Sequence, residues 1–160
     1  MENKCMKTNT QIVTEFYTAF QNKDSKTMTS LYAENISFTD PAFGTLIGED
    51  AKNMWRMLCE NATDLKITFE VLEASSNMVK AHWEANYTFS RTGNRVHNKI
   101  DASLTIKEGL IESHVDQFNL WVWSQQALGT SGWLLGWSGA FKSKLQKQTK
   151  KLLANYKSKY

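Results

Sequence analysis

At 160 residues, 41% of them hydrophobic and 12% aromatic, the chain suits one domain that buries its own core and needs no metal or disulfide staple. The formal net charge of +3 is unevenly placed, because seven lysines and no acid lie between Lys142 and Tyr160, leaving 12 basic against 16 acidic residues before them. The polar start MENKCMKTNTQ has no apolar signal core, no stretch nears the roughly 18 apolar residues of a membrane span, and Cys5 and Cys59 form no CxxC motif; together these imply a cytoplasmic protein with free thiols.

Taken in chain order, Thr10 to Gln21 set Ile12, Phe16, Ala19 and Phe20 at helical spacing. Asn22, Lys23 and Asp24 interrupt that helix, and Asp24 or Ser25 can cap a second, shorter one carrying Met28, Leu31 and Tyr32. Ile36 and Phe38 alternate in a short strand that Asp40-Pro41 ends, since proline fixes φ and lacks a donor. Gly44 and Gly48 bracket a loop, and a third helix from about Glu49 presents Met54, Trp55, Leu58 and Cys59.

Four strands follow, over Leu65–Ala74, Val79–Ser90, Arg95–Lys107 and Leu110–Trp123, joined by the short turns of antiparallel hairpins at Ser75-Ser76-Asn77, Thr92-Gly93-Asn94 and Glu108-Gly109. Helices segregated on an antiparallel sheet make an α+β class. Beyond a Gly- and Trp-rich stretch, Phe141, Leu145, Leu152 and Tyr156 predict a basic helix docked by those residues, with Trp133 and Trp137 anchoring its approach.

The segments FYTAFQNKD, YAENISFTDPAFGTLIGEDA and HVDQFNLWVWSQQALG resemble, over about residues 10 to 129, the nuclear transport factor 2-like superfamily and most of all its SnoaL-like branch. The resemblance implies a sheet curled into a cone, with the first helices closing a pocket at its mouth. It divides the chain into a cone domain over 1–130 and a helical extension over 131–160. Enzymes, ligand-binding proteins and scaffolds share this fold, so function must be argued from the site.

Asp40 resembles the general base of ketosteroid isomerases, which sits in the same Asp-Pro context; its ordinary role would be to shape the turn before Ala42. Asp101, in HNKIDAS, stands where that family keeps a protonated acid for an oxyanion. The tyrosine of that oxyanion hole would align with Phe16, which cannot donate, while Tyr17 is one position off and faces elsewhere on the helix. Asp101 also alternates with the polar His97, Lys99, Ser103 and Thr105, so steroid isomerisation is not expected.

Asp116 is the principal candidate, since His114, Asp116, Phe118 and Leu120 share one strand face and read as a pocket wall. The segment resembles the last strand of limonene epoxide hydrolases, which pair an acid there with Arg-x-Asp on an earlier strand; here that strand reads His82-Trp83-Glu84. Asp116 is therefore expected within water-bridging reach of His82 or Glu84, unless those two belong to a polar outer face. Trp55 and the other aromatics serve as core, pocket wall or dimer contacts.

These residues point to a cofactor-free isomerase, cyclase or hydrolase acting on a small apolar or carbonyl-containing molecule. The rival is a non-catalytic ligand-binding or scaffold protein. Three scattered histidines give no metal-ligand spacing. A homodimer through an aromatic outer sheet face is expected. Nucleic acid is not, because the basic tail comes with no base-stacking motif; that tail is a solvated helix face or, as the alternative, contacts an anionic membrane surface.

Overall fold

The computed structural model describes residues 6–160, so Cys5 lies outside the described residues. Thr8 opens helix α1 (Asn9–Gln21) with a reciprocal cap: its hydroxyl accepts from the Gln11 N–H while the Gln11 side chain accepts from the Thr8 N–H. Of the two possible caps for α2 (Ser25–Ser30), Asp24 is the one used, accepting from the Thr27 N–H at 3.0 Å.

Strand β1 (Tyr32–Asp40) ends where the Asp40 carboxylate accepts from the N–H groups of Ala42 and Phe43. The segment between Gly44 and Gly48, expected as a loop, is strand β2 (Gly44–Ile47), antiparallel to β1. It was hidden from the sequence because only Leu46 of its four residues is buried. Helix α3 (Glu49–Asn61) buries Ala51, Met54, Trp55, Met57 and Cys59.

Strands β3 (Lys66–Ala74), β4 (Met78–Thr88), β5 (Arg95–Lys107) and β6 (Leu110–Gln117) form the antiparallel meander. Glu108 and Gly109, both at positive φ (51° and 79°), make the tight turn between the last two. The six strands run β2-β1-β6-β5-β4-β3 in one curved, unclosed sheet. The sheet is not wholly antiparallel: β6 returns alongside β1 in parallel. That pairing joins residues almost eighty apart, such as Tyr32 and Ile111, and has no turn to announce it in the sequence.

Along β4 and β5 the inner face carries Val79, Ala81, Trp83, Ile100, Ala102 and Leu104, all buried beneath the helices, while the outer face is polar. The tryptophans expected on that outer face are elsewhere. Trp55 and Trp83 are in the core, Trp123 packs on Tyr87 and Phe89, Trp121 and Trp133 lie on C-terminal helices, and Trp137 is in the turn before the last of them.

The last strand stops at Gln117 rather than Trp123. Alternating Phe118, Leu120 and Val122 imitate a strand, but Asn119 accepts from the Val122 N–H and starts helix α4 (Leu120–Leu128). Helix α5 (Thr130–Leu135) folds back on it, with Gly132 so close that a Cβ there would stand 1.8 Å from the Ser124 carbonyl oxygen.

Helix α6 (Gly139–Lys157) then crosses the β1–β2 turn, where Gln146 donates to the Pro41 carbonyl and Thr149 to that of Ala42, and continues along α3. Leu145, Thr149, Leu153 and Tyr156 form its docked stripe. Leu152, expected there, is rotated off it and 57% exposed. Trp133 and Trp137 are 57% and 71% exposed and do not anchor the helix.

Candidate active site

The parallel register sets Phe38 opposite His114 and Thr39 opposite Val115; carried one step past the last pair it leads to Asp40 and Asp116, and the Asp116 charge acts on Asp40. Residues two apart on a strand share a face, so both carboxylates are on the face that carries the buried Phe38 and His114. Behind them runs a chain of buried polar groups. Trp55 Nε1 donates to the Tyr32 hydroxyl at 2.8 Å, and that hydroxyl lies 2.7 Å from His114 Nδ1. His114 Nε2 is 2.9 Å from Asp116 Oδ1, which also accepts from Trp83 Nε1 at 3.3 Å.

One assignment of protons satisfies this whole chain. Tyr32, already accepting from Trp55, gives its own proton to His114 Nδ1; His114 then carries its proton on Nε2 and donates it to Asp116. Burial, followed by the negative charge of Asp116, holds the Tyr32 hydroxyl well above its usual pKa, so it remains a donor. The same two causes raise Tyr17, whose hydroxyl is 3.4 Å from His114 Nε2. Tyr17 thus faces the interior beside Phe16, contrary to the expectation from helix spacing. Helix α1 presses on a concave sheet, and its buried stripe is wide enough to include Ile12, Val13, Phe16, Tyr17 and Phe20.

Around His114 the rings of Phe16 and Phe38 stand edge-on, with centroids 5.5 and 5.2 Å away, and Trp55 stacks at 5.9 Å. Asp40 is only half-buried. Its carboxyl is pushed up to about 7, chiefly by lost hydration and further by the charge of Asp116, against the opposing pull of the Phe43 and Ala42 N–H groups. It therefore shapes the turn and titrates near neutrality at once. Phe118, half-buried, packs against both the main core and the smaller cluster under α4. The two described surface hollows lie away from these carboxylates, one along α1 and α2 (Thr10 to Thr27) and one between α3 and α6.

His82, Glu84 and Asp101 do not join Asp116. They project from the outer sheet face, where His82 Nδ1 bonds Asp101 Oδ1 at 2.8 Å, His82 Nε2 bonds Glu84 Oε1 at 3.2 Å, and His97 bonds the other Glu84 oxygen. The reason is the period of two: Trp83 and Ala102 take the inner positions, so their neighbours must face out. The Asp101 hydrogen bond raises the His82 pKa most, desolvation opposes it as the next largest effect, and Glu84 adds to the rise. Burial lifts the Cys59 thiol to about 11, so it is no nucleophile. No group of three or more His, Cys, Asp or Glu among the described residues is arranged to hold a metal ion.

Sequence reasoning missed Tyr32, the centre of the buried chain, and the part of Trp83 as a ligand of Asp116. Only the parallel pairing of β1 with β6 reveals the first, and no local pattern encodes it.

The arrangement matches known folds. A proposed polyketide cyclase from Pseudomonas putida KT2440 superposes with a TM-score of 0.66 at 18% identity, over 76% of this chain and 98% of that one. A Catenulispora acidiphila protein of ketosteroid isomerase-like fold, in complex with trimethylamine, gives 0.64 at 18% identity, covering 75% and 94%. An epoxide hydrolase of the limonene epoxide hydrolase-like type from M. tuberculosis gives 0.57 at 16%, covering 78% and 88%. No curated protein sequence matches the chain. The SnoaL-like domain model matches residues 13–114, from α1 to the buried histidine of β6, and the chain belongs to that family.

Proposed function

We propose that this protein is a cofactor-free acid–base catalyst that moves a proton next to a carbonyl in a small apolar molecule, as an isomerase or cyclase. The observation that carries the reading is Asp40: a half-buried carboxyl that titrates at about 7 beside a second carboxylate. A base with that pKa is half deprotonated at neutral pH, where proton abstraction is most efficient. Asp116, held by His114 and Trp83, supplies the negative charge that helps keep Asp40 basic, and the Tyr17 hydroxyl, kept protonated by burial, is a candidate donor to a developing oxyanion. Water activation for epoxide opening is less favoured, because the basic group and acid at His82 and Glu84 are on the opposite face. In this reading a substrate reaches Asp40 when α6 lifts from Pro41 and Ala42.

A second reading, a non-catalytic binder or scaffold, draws support from the filled interior, where Phe16, Phe38 and Trp55 pack fully buried round His114. Deuterium exchange into a panel of small cyclic ketones and β-diketones, followed by NMR, separates the two. The catalyst reading expects exchange that rises with pH through about 7 and falls by about 10²–10⁴-fold in Asp40→Asn. Binding without exchange, or equal exchange by the variant, overturns it.

A further inference from the structure

The α4–α5 hairpin leaves a cluster of large apolar side chains in solvent: Trp121 (39%), Val122 (45%), Trp133 (57%), Leu134 (53%), Leu135 (60%) and Trp137 (71%) are exposed to these extents. Contiguous apolar exposure of this kind marks a surface that meets something else. The hairpin is rigid. Gly132 and Gly136 seat it on Ser124, Trp121 Nε1 donates to the Trp133 carbonyl, and Trp137 Nε1 donates to that of Leu134. With those two N–H groups engaged, Trp121 and Trp137 still leave much of their rings in solvent.

The segment that follows this cluster carries charge of one sign. No acidic residue follows Asp116, and all seven lysines of the C-terminal segment are on α6 or just past it. At 100° per residue, Lys144, Lys147 and Lys151 share the face opposite the docked Leu145, Thr149 and Leu153. Among the described residues, Lys142, Lys144, Lys147, Lys150 and Lys151 form no ion pair; Lys157 pairs with Asp50. This whole surface lies beyond the part of the chain that matches the family.

We infer that the α4–α5 hairpin and the outward face of α6 are a docking surface for an anionic phospholipid bilayer. Tryptophan and leucine suit the boundary between headgroups and acyl chains, and adjacent lysines meet the anionic headgroups. A nucleic acid would engage the lysines and leave the leucines in water. A second copy seated on the same patch would bring two uncompensated lysine sets to one seam. No described helix is long and apolar enough to cross a membrane, so the contact is peripheral.

The full chain is sedimented with phosphatidylcholine vesicles and with vesicles containing phosphatidylglycerol, at low and at physiological ionic strength. The expected result is binding to the anionic vesicles only, weakened by salt, with a blue shift of tryptophan emission. Replacing Lys144, Lys147 and Lys151 by Gln should weaken binding on the order of 100-fold, at about fivefold per lysine. Leu134→Ser with Trp137→Ser should abolish the blue shift. Circular dichroism checks that both variants, which leave Leu153 and Gly132 intact, remain folded. Absence of binding to anionic vesicles at low salt overturns the inference. So does binding unchanged in both variants, tighter binding to duplex DNA that ignores Leu134 and Trp137, or lipid-free dimerisation that buries Trp137.

Discussion

The Tyr32 hydroxyl donates to Nδ1 of His114 across 2.7 Å, linking the start of β1 to the middle of β6 within the most buried part of the molecule. Tyr32→Phe deletes that donor and also leaves Trp55 Nε1 without an acceptor. Two buried polar groups then lack partners, and the expected loss is about 1–3 kcal/mol. Urea unfolding of the variant against the parent measures it; an unchanged midpoint would mean that water enters and replaces the hydroxyl.

Asp40 carries a pH signature. Its folded pKa of about 7 exceeds the ordinary value of 3.8, so between those limits the folded chain holds a proton that the unfolded chain has released. The stability this group contributes is full below about pH 4 and is lost as pH rises through about 7. The whole shift corresponds to about 4 kcal/mol, which the partial solvent contact of Asp40 reduces to about 1–3 kcal/mol. Asp40→Asn keeps an oxygen for the Ala42 and Phe43 N–H groups but cannot titrate. Relative to the variant, the parent should lose that amount between about pH 4 and 7.5. The His82, Asp24, Asp64 and Glu84 shifts cancel in the difference.

Two adjacent leucines of α6 should behave oppositely. Leu153, 3% exposed, packs in the main core, so Leu153→Ala should cost about 2–3 kcal/mol and loosen the helix from the β1–β2 turn. Leu152, 57% exposed, should tolerate the same change within about 0.5 kcal/mol. Equal effects in thermal unfolding would show that α6 docks by another face.

Glycine substitutions test the hairpin beneath the exposed tryptophans. At Gly132 a Cβ would stand 1.8 Å from the Ser124 oxygen and 2.3 Å from its carbon, both backbone atoms, so Gly132→Ala must part α4 from α5. The expected cost is at least about 2 kcal/mol, with altered tryptophan emission. At Gly139, in the first turn of α6, a Cβ meets nothing within 4 Å, and Gly139→Ala should stabilise by about 0.4–1 kcal/mol.

By itself the sequence determined the elements whose signals are local. The spacing of Ile12, Phe16 and Phe20 makes a helix, the turn at Glu108-Gly109 closes a hairpin, and the alternation from Val96 to Ile106 makes a half-buried strand. It also put Asp116 on a face with His114, because side chains two apart on a strand must agree. What the tertiary structure alone decided is the company these residues keep. Asp40 meets Asp116, and Tyr32 meets His114, through the parallel pairing of β1 with β6, a contact between distant segments that no periodicity records. His82-Trp83-Glu84 carries the right groups in the right spacing, yet alternation on β4 sends either Trp83 or its two neighbours inward, and the large apolar ring wins the core. Trp133 and Trp137 look like anchors by composition. They stand in solvent because the close approach at Gly132 and Gly136, with the Trp121 indole bonded to the Trp133 carbonyl, holds the hairpin together without their rings.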